Sequence, residues 1–367
     1  MTHLNVEADF GRWLEHLRRE PQIVARTAAA RGERVIGYVG NEIPVALIIA
    51  ADALPVRLRA STDSGTSGAD LFVESSFTPA LRAIANQWLK GDLDHLEAVV
   101  FARGDDSGQR LYYYFCELQR RGLCAGPRPL LYDVASLARP TSYEHTLDST
   151  RQLAGQLGSK ASKLEAALQR VRQREELAHA VGAHRLLPAP LRGSAAWSFE
   201  FAAGCDWRAG FDDGARQWLD QASLLHLPRR VMLAGDPPPD DQLHVAIEAC
   251  GASVVLELTE SRGAGERTQR DPFAAIAQEF HRRETPALAM RRNARWLVDN
   301  AREQRADAVL VWLSEEDEAL PWEIARQMRA LHEAGLPSLL LARQPGHVSA
   351  AILTQVMHFL RDPRKSP

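Results

Sequence analysis

The feature that most restricts what this chain can fold into is a block of four apolar runs that occurs twice in the same order. VIGYVG at Val35, LPVRL at Leu54, AVVFAR at Ala98 and PLLYDV at Pro129 return as RVMLAGD at Arg230, SVVLELT at Ser253, AVLVWLS at Ala308 and SLLLARQ at Ser338. The copies are displaced by a nearly constant 196 to 210 residues. A duplicated unit predicts two similar lobes, and a hollow shared by two lobes is where a ligand is expected to bind. The runs are short, rich in β-branched residues and continuously apolar, and helical patterns such as Pro79–Leu89, Gln109–Gly122, Asp241–Cys250 and Trp322–Gly335 separate them. That alternation predicts an α/β fold in which each lobe is a parallel four-stranded doubly wound sheet covered by helices on both faces.

With 367 residues there is enough chain for about two domains of ordinary size. The expected division is an N-terminal lobe over 1–141, a helical connector over 142–190 and a C-terminal lobe over 191–367. The connector is predicted from Leu153, Leu157, Leu164, Ala167, Leu168 and Val171, which share a helical spacing, and the segment from Leu186 to Trp197 reads as a loop. Residues 9–31 read as one helix with Phe10, Trp13, Leu14 and Leu17 on its apolar face.

A net charge of −3 with 25% charged residues gives no basic excess for nucleic acid. The longest apolar stretch, Ile43 to Leu58, is broken by Pro44, Asp52, Pro55 and Arg57, which argues against a membrane span, and no leader pattern is visible, so a cytoplasmic location is expected. The four cysteines, Cys116, Cys124, Cys205 and Cys250, have no CxxC pair and no short metal-ligand spacing, so neither a disulfide framework nor a zinc site is expected.

In open parallel sheets, ligands bind beyond the carboxyl ends of the strands. Four loops qualify: Asn41-Glu42, Arg103-Gly104-Asp105-Asp106-Ser107, Asp236 followed by three prolines, and Ser314-Glu315-Glu316-Asp317-Glu318. Equivalent strands of both halves thus end in acidic clusters, which can serve as acid and base, hold a hard cation, or simply cap the next helix. Arg262 and Arg267, in a glycine-containing loop, are the candidates for phosphate contact, although the loop matches neither the Walker pattern nor GxGxxG. Tyr112, Tyr113 and Tyr114 lie on a predicted helix and cannot share one face. His347, after the last strand, is the one histidine expected near the site, and the tail after Leu360 is expected to fray.

The segment VIGYVGNEIPVALIIAADALPVRL, Val35 to Leu58, resembles subunits of the 2-hydroxyacyl-CoA dehydratase and benzoyl-CoA reductase family, of the dehydratase D-component type. The likeness continues through ADLFVESSFTPALR, LDHLEAVVFARGDDSGQRLYYY, IEACGASVVLELTESRGAG and LTQVMHFL. The resemblance implies a four-iron four-sulfur cluster held by three cysteines, a related partner subunit in a heterodimer, an ATP-dependent activator, and an acyl-CoA substrate. This chain departs from the pattern at the cluster. Phe77-Thr78-Pro79 stands where the family has Phe-Cys-Pro, Asp105-Asp106 where it has Cys-Asp, and Ser314 or Glu315 where a third cysteine is expected. Ala46, Asp52 and Gln355 replace an acidic residue, a glycine and an arginine.

The expectation is a divergent, cluster-free subunit that binds acyl-CoA or supports a cluster-bearing partner, with self-pairing as the other assembly. A stand-alone enzyme with Thr78, Asp105, Ser314 and Glu315 as an oxygen-ligand or acid/base site, and a non-catalytic acyl-CoA sensor, are the alternatives. Arg103, Asp106, Arg262 and Arg267 are the expected cofactor-binding residues.

Overall fold

A computed structural model describes residues 10–60, 65–103, 106–135, 137, 139–186, 191–221, 227–259, 269–283 and 285–362. In chain order the first half runs α1 (Phe10–Arg19), α2 (Ile23–Ala30), β1 (Val35–Tyr38), α3 (Val45–Ala50), β2 (Leu54–Arg57), α4 (Pro79–Leu89), β3 (Ala98–Ala102), α5 (Asp106–Arg120) and β4 (Arg128–Tyr132). Four helices follow: α6 (Pro140–Leu157), α7 (Ala161–His184), α8 (Gly193–Cys205) and α9 (Ala209–Gln221). The second half runs β5 (Arg229–Gly235), α10 (Gln242–Ala249), β6 (Ala252–Leu258), α11 (Pro272–Arg282), α12 (Pro286–Arg292), α13 (Trp296–Glu303), β7 (Ala308–Ser314), α14 (Leu320–Glu333), β8 (Ser338–Gln344) and α15 (Ala350–Arg361).

The duplication is borne out strand for strand. One sheet has the order β2-β1-β3-β4 and the other β6-β5-β7-β8, and every pairing is parallel. Strands buried on both sides explain the continuous apolar runs: all five residues of β3 are buried, as are six of the seven in β7. Helices cover both faces of each sheet. In the first, Ile36, Val100 and Leu130 face a core closed by α3, α6 and α11, while Val35, Val99 and Phe101 face one closed by α2, α4 and α5.

The chain separates into two compact units that are not continuous in sequence. Unit 1 comprises Met1–Leu177, Phe201–Trp218 and Gly263–Arg283, and unit 2 comprises Ala178–Glu200, Leu219–Arg262 and Glu284–Pro367. Helix α11 therefore belongs to the first sheet's unit, where Ile276 and Phe280 join the core of α3 and α6.

Two sequence readings need correction. The helix expected over 9–31 is two helices, because Pro21 has no amide to donate and the chain turns at 21–22 before α2 begins. The loop expected from Leu186 to Trp197 becomes helical at Gly193, where a Cβ would lie 3.0 Å from Val254 Cβ. There Ser194 donates through its amide and hydroxyl to Glu248, at 2.8 and 2.9 Å.

The stretch expected as a connector holds two helices, α6 and α7, with Gly158, φ +75°, ending the first. Asp52, standing where the resemblance expects glycine, also has a left-handed φ of 57°. Aspartate is among the few side chains that tolerate this region. Its carboxylate is held by Lys160 at 2.6 Å and by Lys163, whose hydrogen bonds bring its pKa down to about 2.

Candidate functional site

In each sheet the connections leave the first strand on one side and the third on the other, so the β1/β3 and β5/β7 boundaries are the topological switch points where an α/β sheet binds ligands.

In unit 2, β5 ends at Gly235 with φ +101°, and a Cβ there would sit 2.1 Å from the Trp312 carbonyl oxygen of β7. Only glycine fits, and this close approach brings Asp236 across to β7. The Asp236 amide donates to Trp312 O at 2.8 Å, and its Oδ2 accepts from the Ser314 amide at 2.7 Å. Asp317 is fixed separately, its Oδ1 accepting from the amides of Ala319 (2.6 Å) and Leu320 (2.9 Å) as α14 begins. Burial pushes the Asp236 carboxyl up to about 7, helped by a hydrogen bond to the Asp317 side chain and by that neighbour's charge. A carboxyl raised to about 7 can give or take a proton near neutrality at the switch point.

Ser314 closes β7 and presents its amide to Asp236, while Glu315 is exposed and donates its amide to Gln344 O at 3.0 Å. The sequence singled out this loop and noted Asp236, but not the pairing of Asp236 with Asp317. That pairing depends on β5 and β7 being neighbours, which a strand list does not state.

Deeper in unit 2, Arg185 donates to Glu257 Oε1 at 2.8 Å and to Val254 O at 2.8 Å. His244 Nε2 lies 3.1 Å from the same carboxylate oxygen. Burial alone would raise the Glu257 carboxyl, but Arg185 and His244 outweigh it and bring it to about 2.

In unit 1, Thr78 is half-buried and caps α4, its Oγ1 accepting from the Leu81 amide at 3.4 Å. Arg103 follows β3 and donates through Nη1 to Asp133 Oδ1 at 2.7 Å. His145 Nε2 lies 3.2 Å from the other oxygen of Asp133. The Asp133 carboxylate raises the Arg103 guanidinium further above its already high value. Asp106 is exposed in the first turn of α5. Beyond β1, the Asn41 carbonyl accepts from Arg283 Nη1 at 2.8 Å, and Glu279 Oε1 accepts from Nη2 at 2.9 Å. Asp105, Arg262 and Arg267, like the tail from 363 on, lie outside the described residues.

Of the tyrosine run, Tyr113 is exposed, Tyr114 donates to Glu74 at 2.7 Å, and Tyr112 packs near Phe101. His347 is exposed beyond β8.

The thiols occupy other places. Cys116 is within α5, and Cys124 and Cys250 precede β4 and β6 at the amino ends of the strands. Cys205 is buried at the end of α8, donates to Phe201 O at 3.5 Å, and has its pKa raised to about 11 by burial. Among the described residues no group of three or more His, Cys, Asp or Glu side chains is gathered so as to hold a metal ion. Also among them, no helix is long and apolar enough to cross a membrane.

The family model described as 2-hydroxyglutaryl-CoA dehydratase, D-component, matches residues 41–360. No curated protein matches the chain.

Proposed function

The chain belongs to the 2-hydroxyglutaryl-CoA dehydratase D-component family, and from that premise we propose that it acts as an acyl-CoA-binding subunit without a thiolate-held cluster of its own. In this reading it supports a related, cysteine-bearing chain in a heterodimer served by an ATP-dependent activator, in the cytoplasm.

The observation that carries the reading is the donor set. The positions the resemblance assigns to cluster ligands hold Thr78, Asp105 and Ser314 or Glu315. Iron–sulfur clusters take thiolates, with other donors tolerated at only part of the shell. Thr78 Oγ1 is engaged in capping α4; Cys124 and Cys250 precede their strands, Cys116 lies within α5, and Cys205, whose thiol donates to Arg57 O at the end of β2 at 3.8 Å, is a single buried thiol. The side chains on hand do not fit a conventional four-iron four-sulfur group.

The test is iron and acid-labile sulfide analysis after anaerobic purification, alone and co-expressed with a cysteine-bearing homologue. Stoichiometric iron on the chain alone contradicts the reading. Iron that travels only with the partner agrees with it.

A second reading has one observation in its favour. The Asp236 carboxyl, raised to about 7 by burial and by its neighbour Asp317, is an acid/base group poised near neutrality, as a stand-alone lyase acting on an acyl thioester would need. An activity that the chain alone carries out, with a pH profile turning near 7 that flattens in Asp236→Asn, would favour it.

A further inference from the structure

Arg283 has a guanidinium that the fold has taken out of water without fully pairing. Its side chain is only 9% exposed, lies over the Phe280 ring at 4.3 Å, and is held by Asn41 O and Glu279 Oε1. Its Nε is buried and has no hydrogen-bond partner. A buried donor without an acceptor is destabilising, and a charged one more so, so an unsatisfied guanidinium edge points to a missing acceptor. The location fits. Asn41 is in the loop just beyond β1, and β1 pairs with β3, whose next residue outside the strand is Arg103. Arg103 is half-exposed, and Asp133 steadies it through Nη1 while also engaging His145.

Two guanidiniums thus flank the β1/β3 switch point of unit 1, one buried and one at the rim. Guanidinium donors pair strongly with carboxylate and phosphate oxygens.

We propose that the carboxyl edge of unit 1 is an oxyanion subsite in which Arg283 is the inner ligand and Arg103 the outer one. Asp133 is a positioning residue, holding Arg103 in place. The inference rests on the acyl-CoA reading above and deepens it: the oxyanion is either a phosphate of the nucleotide end or a carboxylate on the acyl group.

The experiment is calorimetric titration of the full chain with four probes: butyryl-CoA, glutaryl-CoA, butyryl-pantetheine and glutaryl-pantetheine. Arg283→Gln and Arg103→Ala are each expected to weaken binding about tenfold or more, with partial recovery in Arg283→Lys. If the loss follows the CoA probes whatever the acyl group, the oxyanion is a phosphate. If it follows the glutaryl probes whatever the nucleotide, it is the acyl carboxylate.

Variants that bind all four probes like the unaltered chain overturn the subsite and leave the acyl-CoA reading standing. An unaltered chain that binds no probe overturns both. Arg103→Ala alters a half-exposed side chain and so guards against loss of fold in Arg283→Gln. Measured on the unaltered chain alone, equal affinity for butyryl-pantetheine and the three anionic probes also overturns the inference.

Discussion

Units 1 and 2 carry the same sheet but arrange the charges along its carboxyl edge differently. In unit 1 the residues beyond the strands and the helices that meet them present Arg103, His145 and Arg283 together with Glu42, Asp106, Asp133 and Glu279. In unit 2 the corresponding edge presents Asp236 and the run Glu315 to Glu318. Strand interiors in a doubly covered sheet favour apolar residues, so the repeat stays legible there, whereas residues beyond the strands are free to diverge towards different chemistry. The difference teaches that duplication preserved a frame while the residues along its two edges diverged.

The sharpest contrast inside the frame lies in how each unit buries a charge. Unit 1 pairs Arg174 with Asp212 and stacks the guanidinium between Trp207 and Phe211, at 4.6 and 4.5 Å from the ring centres. Unit 2 pairs Arg185 with Glu257, with exposures of only 4% and 8%. Arg185→Ala leaves the buried Glu257 without its guanidinium, with His244 still beside it, and the expected loss is about 3–5 kcal/mol in urea unfolding. Glu257 has a folded pKa lowered to about 2, so its pairing stabilises the fold above the usual carboxylate range and is lost as pH falls through about 2. The penalty in Arg185→Ala is therefore expected across the whole range from pH 5 to 9. A loss under about 1 kcal/mol would remove this pair from the account of unit 2.

The glycines that close the first strand of each unit separate the edges next. Gly40 and Gly235 both have positive φ, 83° and 101°, but a Cβ on Gly40 meets nothing within 4 Å while one on Gly235 meets a carbonyl oxygen. Gly40→Ala is expected to cost about 1 kcal/mol from the backbone alone. Gly235→Ala is expected to cost about 2–3 kcal/mol, because the β5–β7 approach must open as well. Equal losses in thermal unfolding would show that the tight crossing beneath Asp236 has no energetic weight.

Asp236 gives the third contrast and reverses its sign. Its folded pKa is raised to about 7, so the fold is at no disadvantage below the ordinary aspartate pKa and loses stability as pH rises from there through about 7. Asp236→Asn is expected to raise the unfolding free energy at pH 8, by on the order of 1–2 kcal/mol after allowance for partial solvent exposure, and the melting temperature with it. The gain should vanish at pH 4. A variant less stable than the parent at both pH values would mean that the Asp236 carboxylate is needed in its charged form.

What the sequence made legible follows from the same physics. The eight strands and their parallel pairing were readable because each is a largely apolar run, and helices α6 and α7 because their leucines keep helical spacing. Pro21 also marks the break between α1 and α2. The place of α11 was not readable, since an amphipathic stripe says that a helix packs without saying on which sheet, and α11 packs with α3 and α6 of unit 1. The Asp236–Asp317 pair and the Arg283–Asn41 contact join residues 81 and 242 positions apart in the chain, and only strand adjacency and helix docking bring them together.

One repeat signal was available and lay outside the strands. Thr78-Pro79-Ala80-Leu81 recurs as Thr285-Pro286-Ala287-Leu288, and both threonines cap their helices by accepting from the leucine amide, at 3.4 Å in unit 1 and 3.2 Å in unit 2. This pair gives the smallest and most discriminating test of the comparison. Each Thr→Ala change is expected to cost about 1 kcal/mol of stability, the ordinary worth of an N-cap, and Thr→Ser to restore most of it. If capping is all that Thr78 does, the two alanine variants will match in urea unfolding and both will leave CoA-ester affinity untouched. If Thr78→Ala also weakens ligand binding while Thr285→Ala does not, then the residue standing where the family carries a cysteine still faces the ligand, and a shared cap has acquired a second role in unit 1 alone.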